Sequence, residues 1–261
     1  MFVFLVGPEH VRFEIHSGIL EELSQPLTRL MENGSMKESN ERLAVLEDID
    51  VNTFAQFASY CYSRNDRTTP TSPSPAAEIV FAGRCKHCRG SYTASSKKTA
   101  YCRNCILVGF ADQTSDAFAN KKFGSTEYTH DDIRIFLDSQ MPQDEPTAQL
   151  REHAKVYVLA DKYLVHSLKA LAIHKLHRDL VMYDMKRYGV GELVELIRYT
   201  YTNTHGVDDA DGTNNELREL VATYAASKAP EILKDKDFRE MLEEGGDAAF
   251  GFACFLAKRI A

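Results

Sequence analysis

The chain has 261 residues, 44% apolar and 26% charged, a balance that lets a globular protein bury roughly 70–75% of its unfolded surface and excludes wholesale disorder. Its longest apolar run, Ala248 to Ala257, falls far short of the ~20 residues that cross a bilayer, and Met1 to Val6 lacks the basic start of an export signal. Lys plus Arg number 31 against 38 Asp plus Glu, a net charge of −7 that excludes a surface basic throughout.

The first 64 residues read as a small α/β unit. Phe2 to Val6 and Val11 to Ile15 are short β-type runs joined as a hairpin through Gly7-Pro8-Glu9-His10. His16-Ser17 opens a helix with Ser17 as its N-cap and Leu20 and Leu23 on one face. Ser24 and Pro26 start a second helix carrying Leu27, Leu30 and Met31, which Asn33-Gly34 ends. Arg42 to Leu46 is a third strand, and Asp50 caps a third helix whose stripe is Phe54, Phe57, Ala58 and Cys61. The order is strand, strand, helix, helix, strand, helix.

Residues 65–150 read as an insertion. It opens on a Thr/Ser/Pro linker at 65–75, carries the cysteine pairs at 83–105, and shows little periodicity from 106 onward. Helical spacing resumes at Glu152. One face holds Val156, Ala160, Tyr163 and Leu164, and the next holds Leu168, Leu171, Ala172, Leu176 and Leu180, closing the unit over 151–182. A helical extension fills 183–261. Its predicted helices are 190–201, 214–227 and two beyond Pro230 that Gly245-Gly246 separates.

Without an export signal the expected compartment is intracellular, cytoplasm or nucleus, where six cysteines serve as thiols or metal ligands. Cys85, Cys88, Cys102 and Cys105 form C-x2-C-x13-C-x2-C, a spacing that lets two short turns each offer two thiolates to one tetrahedral zinc ion. Between Cys85 and Cys105 the only sizeable apolar side chains are Tyr92 and Tyr101, so the segment lacks a core of its own. Structural zinc contributes roughly 10–16 kcal/mol against an ordering cost of roughly 1–2 kcal/mol per residue. That suffices for the two knuckles, and the spacer around Ala94 to Lys98 is expected to stay mobile. His87 inside the first knuckle is expected to face solvent.

Residues 83–105 hold Arg84, Lys86, Arg89, Lys97, Lys98 and Arg103 and no acid, a formal +6 that leaves −13 on the remainder. Two uses compete. Tyr92 and Tyr101 with these cations suit nucleic acid, whereas cations beside thiolates also simply balance an anionic metal centre. The acidic remainder repels phosphate, so the second use is preferred.

His16 is expected in the core with its ring bonded to backbone, and His166, His174 and His177 on the surface. Cys61 and Cys254 read as small hydrophobes, and Asp131-Asp132 and Glu243-Glu244 as solvated helix ends. No phosphate-binding loop, dinucleotide fingerprint, G-x-S-x-G or H-E-x-x-H is present.

Several segments resemble the BTB/POZ domain in its fungal form. FLVGPEHVRFEIHSGIL (4–20) resembles the opening strands and helix, with His16 at the family's histidine, and LEELSQPLTRLM (20–31) carries its serine as Ser24. LEDIDVNTFAQFASYCYS (46–63) and HAKVYVLADKYLVHSLKALAIHKLHRDL (153–180) are similar to the third helix and the closing helical pair. ELVELIRYTYTNT (192–204), NELRELVATYAA (215–226) and DFREMLEEGGD (237–247) are similar to the helical tail. The resemblance implies an α+β, BTB/POZ-like fold, a small sheet with helical hairpins, bearing an inserted zinc-binding loop and an all-α C-terminal extension. It also implies a protein-interaction adaptor without catalysis, its docking helices near 51–62 and 153–165. The partners it implies are a second copy or a cullin-type ubiquitin-ligase scaffold. Thr53-Phe54-Ala55 stands where cullin-binding members carry a hydrophobic-x-Glu pattern. The alternative function is a nucleic-acid-associated regulator acting through the basic knuckle.

Overall fold

A computed structural model describes residues 1–32, 37–63, 81–84, 91–94, 118, 123, 149–183, 185–205 and 215–260. Asn33-Gly34, the linker at 65–75 and Asp131-Asp132 lie outside these residues. The opening hairpin forms as expected: β1 (Phe2–Val6) pairs antiparallel with β2 (Val11–Ile15), Phe2 opposite Ile15 and Val6 opposite Val11. Gly7 makes the turn at φ +71°, where a Cβ would lie 2.9 Å from Val51 Cγ2.

The third strand, β3 (Leu43–Leu46), joins the other side of β1 and runs parallel to it, giving the order β2-β1-β3. Parallel neighbours require a crossover. Here α1 (Ser17–Leu23), α2 (Gln25–Glu32) and the short α3 (Lys37–Glu41) provide it. The sequence pattern omits α3 because KESNE has no apolar residue to bury. Ser17 is not the N-cap of α1 but its first residue. β2 stays paired through Ile15, so His16 alone separates strand from helix and takes the cap position, its side chain accepting no capping hydrogen bond from the helix. Ser24 does act at the start of α2, where its hydroxyl accepts from Leu27 N at 3.2 Å and donates to the Tyr163 carbonyl at 2.5 Å.

Alternation along β1 sends Phe2, Phe4 and Val6 inward. They meet α4 (Val51–Ser63), with Phe4 and Phe54 ring centroids 5.1 Å apart. Asp50 caps α4 as expected, accepting from Thr53 N and Thr53 Oγ1, each at 2.9 Å. A second, two-stranded ribbon pairs β4 (Phe81–Arg84) with β5 (Ser91–Ala94), Arg84 opposite Ser91.

Behind α4 stand α5 (Gln149–Lys162) and α6 (His166–Met182), an antiparallel hairpin. Then follow α7 (Met185–Tyr188), α8 (Gly191–Asn203), α9 (Glu216–Ser227), α10 (Ala229–Ile232), α11 (Lys236–Glu244) and α12 (Gly246–Ile260). The expected stripes on α6, α8 and α9 are buried, as are Val156 and Ala160. Leu164 departs from its expected face. It sits at φ +52° just past α5, and Val165 N reaches Ala160 O at 2.8 Å while Leu164 N reaches Asp161 O at 3.1 Å. This is a Schellman closure with leucine in the left-handed position, so Leu164 points outward and Val165 takes the buried place. Among the described residues the architecture is mostly helical with a small mixed sheet, an α+β arrangement. One apolar cluster runs from Phe2 to Phe252.

The last helices are joined around Arg218, a buried guanidinium. It donates through Nε to Thr204 Oγ1 at 2.9 Å, through Nη1 to Asp247 at 3.3 Å and through Nη2 to the carbonyls of Tyr201 and Thr204. It also lies over the Tyr201 ring, 4.6 Å from its centroid. The same ring closes on Gly251, where a Cβ would stand 2.1 Å from Tyr201 Oη and 2.9 Å from Cζ. Because Arg218 holds the ring, Gly251→Ala is expected to cost about 1–3 kcal/mol by overpacking, read as a lower denaturant midpoint.

Candidate functional site

Cys85, Cys88, Cys102 and Cys105 lie outside the described residues, as does His87. β4 and β5 bracket the first pair in sequence, ending at Arg84 and resuming at Ser91. Ala94, the first residue of the spacer expected to be mobile, is the last residue of β5 and stands opposite Phe81. Residues 95–98 lie outside. Among the described residues no group of three or more His, Cys, Asp or Glu is placed to hold a metal ion. No described helix is long and apolar enough to cross a membrane.

The docking helices proposed from sequence fare differently from each other. α4 presents Asn52, Ala55, Tyr62 and Ser63 to solvent, and Tyr62 is 52% exposed. α5 is mostly interior, leaving Arg151, Asp161 and Lys162 exposed, followed by Leu164 in the turn. The reason is placement: α5 is covered by α4, α6 and α8. Ion pairs fasten its outer rim, Lys162 to Asp48 at 2.6 Å and Lys155 to Glu152 at 2.7 Å. The Lys162 hydrogen bond holds the Asp48 carboxyl below its ordinary range.

His16 is exposed rather than in the core. Its Nδ1 lies 2.8 Å from Tyr62 Oη, its backbone N–H donates to that same oxygen at 3.2 Å, and the rings meet edge to face. The N-cap position at the end of an edge strand explains this exposure. Cys61 is buried as expected, whereas Cys254 is only half-buried.

The histidines of α6 divide. His166, at the first turn, is exposed as expected, but His174 and His177 are half-buried. Phe118 and Phe123 close over His177 with ring centroids at 4.9 and 5.1 Å, and Nε2 donates to the Phe118 carbonyl at 3.0 Å. Phe118 also meets Tyr224 of α9 at 5.1 Å. Burial pushes the His177 pKa down, against the opposing effect of that carbonyl.

Between α5 and α6 lies a buried charge cluster that the sequence reading missed. His153 Nε2 donates to Asp179 Oδ2 at 2.9 Å, and Arg178 Nε donates to Asp179 Oδ1 at 2.6 Å. Burial opposes ionisation of Asp179, but His153 and Arg178 outweigh it and hold the carboxyl at about 2. One turn earlier Lys175 is also buried. Desolvation, aided by Arg178 and resisted by Asp179, pushes its ammonium down to about 7. The structure buries α6 on most sides, although His, Lys, Arg and Asp are spread through its sequence, so no pattern in the sequence marks Lys175 and Asp179 as interior. The pairing with His153 has no sequence signature.

Lys175 has a consequence for pH dependence. Its folded pKa is depressed, so below about 7 the fold carries a buried cation, and between about 7 and the ordinary lysine value near 10.4 the unfolded chain binds the extra proton. Stability from this group therefore rises with pH across that window. Lys175→Met is expected to abolish the rise, measured as urea midpoints from pH 7 to 10.

Comparison with protein-family models, with curated proteins and with solved structures finds no match for this chain.

Proposed function

We propose that this protein is a non-enzymatic interaction adaptor of the BTB/POZ type carrying a structural zinc knuckle. The supporting observation is the order β1-β2-α1-α2-β3-α4, with the short α3 added before β3, followed by the α5–α6 hairpin; apart from α3 this is the sequence of elements that the resemblance implies. The outer side of α4, with Asn52, Ala55 and Tyr62, is the docking face on this reading. A cullin-type scaffold is the partner class to test. Titrating the chain with a purified cullin N-terminal domain in a calorimeter supports this partner if saturable binding is lost in Ala55→Arg. Absence of heat from a folded, zinc-loaded chain rejects it.

The four cysteines fit zinc by donor chemistry. Thiolates are the ligands a closed structural site uses, and Cys85 and Cys88 fall in sequence between the paired strands β4 and β5. When bound, the ion would cross-link that first pair to Cys102 and Cys105 and supply folding free energy. Purified protein is expected to contain one zinc per chain by elemental analysis, and Cys85→Ser with Cys102→Ser to contain none.

A further inference from the structure

We propose that α12 forms a two-fold contact with α12 of a second copy, a surface separate from α4. The helix GDAAFGFACFLAKRI is apolar nearly all round, the pattern of a helix covered on every side. Its inner face is covered: Phe252 is buried against Phe238 at 5.2 Å, and Gly251 abuts Tyr201. Among the described residues nothing is packed on its outer face. Phe250 is 72% exposed, and Ala253 and Ala257, one and two turns on, are exposed beside it with half-buried Cys254 at the edge.

Charge and shape both point to an antiparallel copy of the same helix. Asp247 opens α12 and Lys258 stands near its end, eleven residues or about three turns later, so the two positions share one edge of the stripe. In an antiparallel pair each edge meets its own counterpart, which sets position 247 of one copy, an aspartate, level with position 258 of the other, a lysine. A parallel pair brings opposite edges together and leaves Asp247 and Lys258 apart. The Asp247 carboxylate is three-quarters exposed, with Arg218 touching it on one side only. The register that joins Asp247 to Lys258 also lays Phe250 over Ala257 of the partner helix, a large ring opposite a small side chain. It brings Cys254 close to its own symmetry mate. Such a contact is self-complementary and closes as a dimer, and it opposes the two helix dipoles favourably.

The test is the mass of the full chain in solution, by sedimentation equilibrium across the micromolar range. The expected result is twice 29.4 kDa, falling to a single copy in Phe250→Glu and in Ala257→Arg, with the far-ultraviolet spectrum and thermal transition unchanged. A short bis-maleimide is expected to link the copies covalently, with the link lost in Cys254→Ala. A single-copy mass at every concentration overturns the proposal. So does a double mass that persists in both variants, which places the contact elsewhere, including on α4. Should either variant fail to fold, the cross-link decides: dimers still formed by Cys254→Ala reject this contact.

Discussion

Asp179→Ala is expected to lower the stability of the chain by about 3–5 kcal/mol, the usual cost of removing one partner from a buried charge pair. The carboxylate accepts from both His153 Nε2 and Arg178 Nε, and its side chain is 5% exposed. Alanine removes the carboxylate that His153 Nε2 and Arg178 Nε share between α5 and α6. Asp161→Ala is the control, because Asp161 pairs with Lys169 at 2.6 Å on the surface with its side chain 48% exposed. Such a pair contributes about 1 kcal/mol or less. Denaturant unfolding of both variants separates the two cases, and equal losses would show that the buried cluster adds nothing. The acid limb offers an independent reading. The folded pKa of Asp179 is depressed to about 2, so its contribution is complete above the ordinary aspartate value near 3.9 and disappears as pH falls from there toward 2. Asp179→Asn should flatten that limb.

Phe118→Ala is expected to cost about 3–5 kcal/mol, as a fully buried aromatic does. Phe118 is 4% exposed and fills the space between His177 of α6 and Tyr224 of α9. It belongs to the stretch that the sequence reads as an insertion, so the substitution asks whether that stretch is fastened to the helical body. Replacing Cys85 and Cys102 by serine is expected to release metal while leaving the main unfolding transition in place. The contrast between the two experiments is informative. A large loss from Phe118→Ala with none from the cysteine pair means that the stretch is pinned at its aromatic end, independently of the metal. A small loss from Phe118→Ala would show the packing on His177 to be dispensable.

Where periodicity was strong, the elements were legible almost to the residue. The alternation at Phe2–Val6 and Val11–Ile15 and the stripe Phe54, Phe57, Cys61 return as written, because each is a local pattern with one face to bury. Most of what failed depended on partners distant in sequence. His16 bonds a tyrosine on α4, and His177 is covered by phenylalanines from a stretch without periodicity. His153 finds its carboxylate on the next helix. Neither the parallel pairing of β1 with β3 nor the β4–β5 ribbon was anticipated, since strand direction and pairing are tertiary facts. Leu164 was misplaced because a left-handed closure breaks the helical count one residue before the stripe resumes. The metal ligands proposed from spacing still rest on spacing and on the strands that bracket the first pair.

The position of α5, walled by α4 on one side and by α8 on another, bears on how the protein can be divided. A polypeptide cut after Met182 keeps every segment of the resemblance up to the closing helices but strips away the side chains of α8 and α9, including Leu193, Leu196, Ile197 and Tyr224. The newly bared grease would make such a fragment sticky and poorly behaved, so the extension is better regarded as part of the foundation than as an appendage.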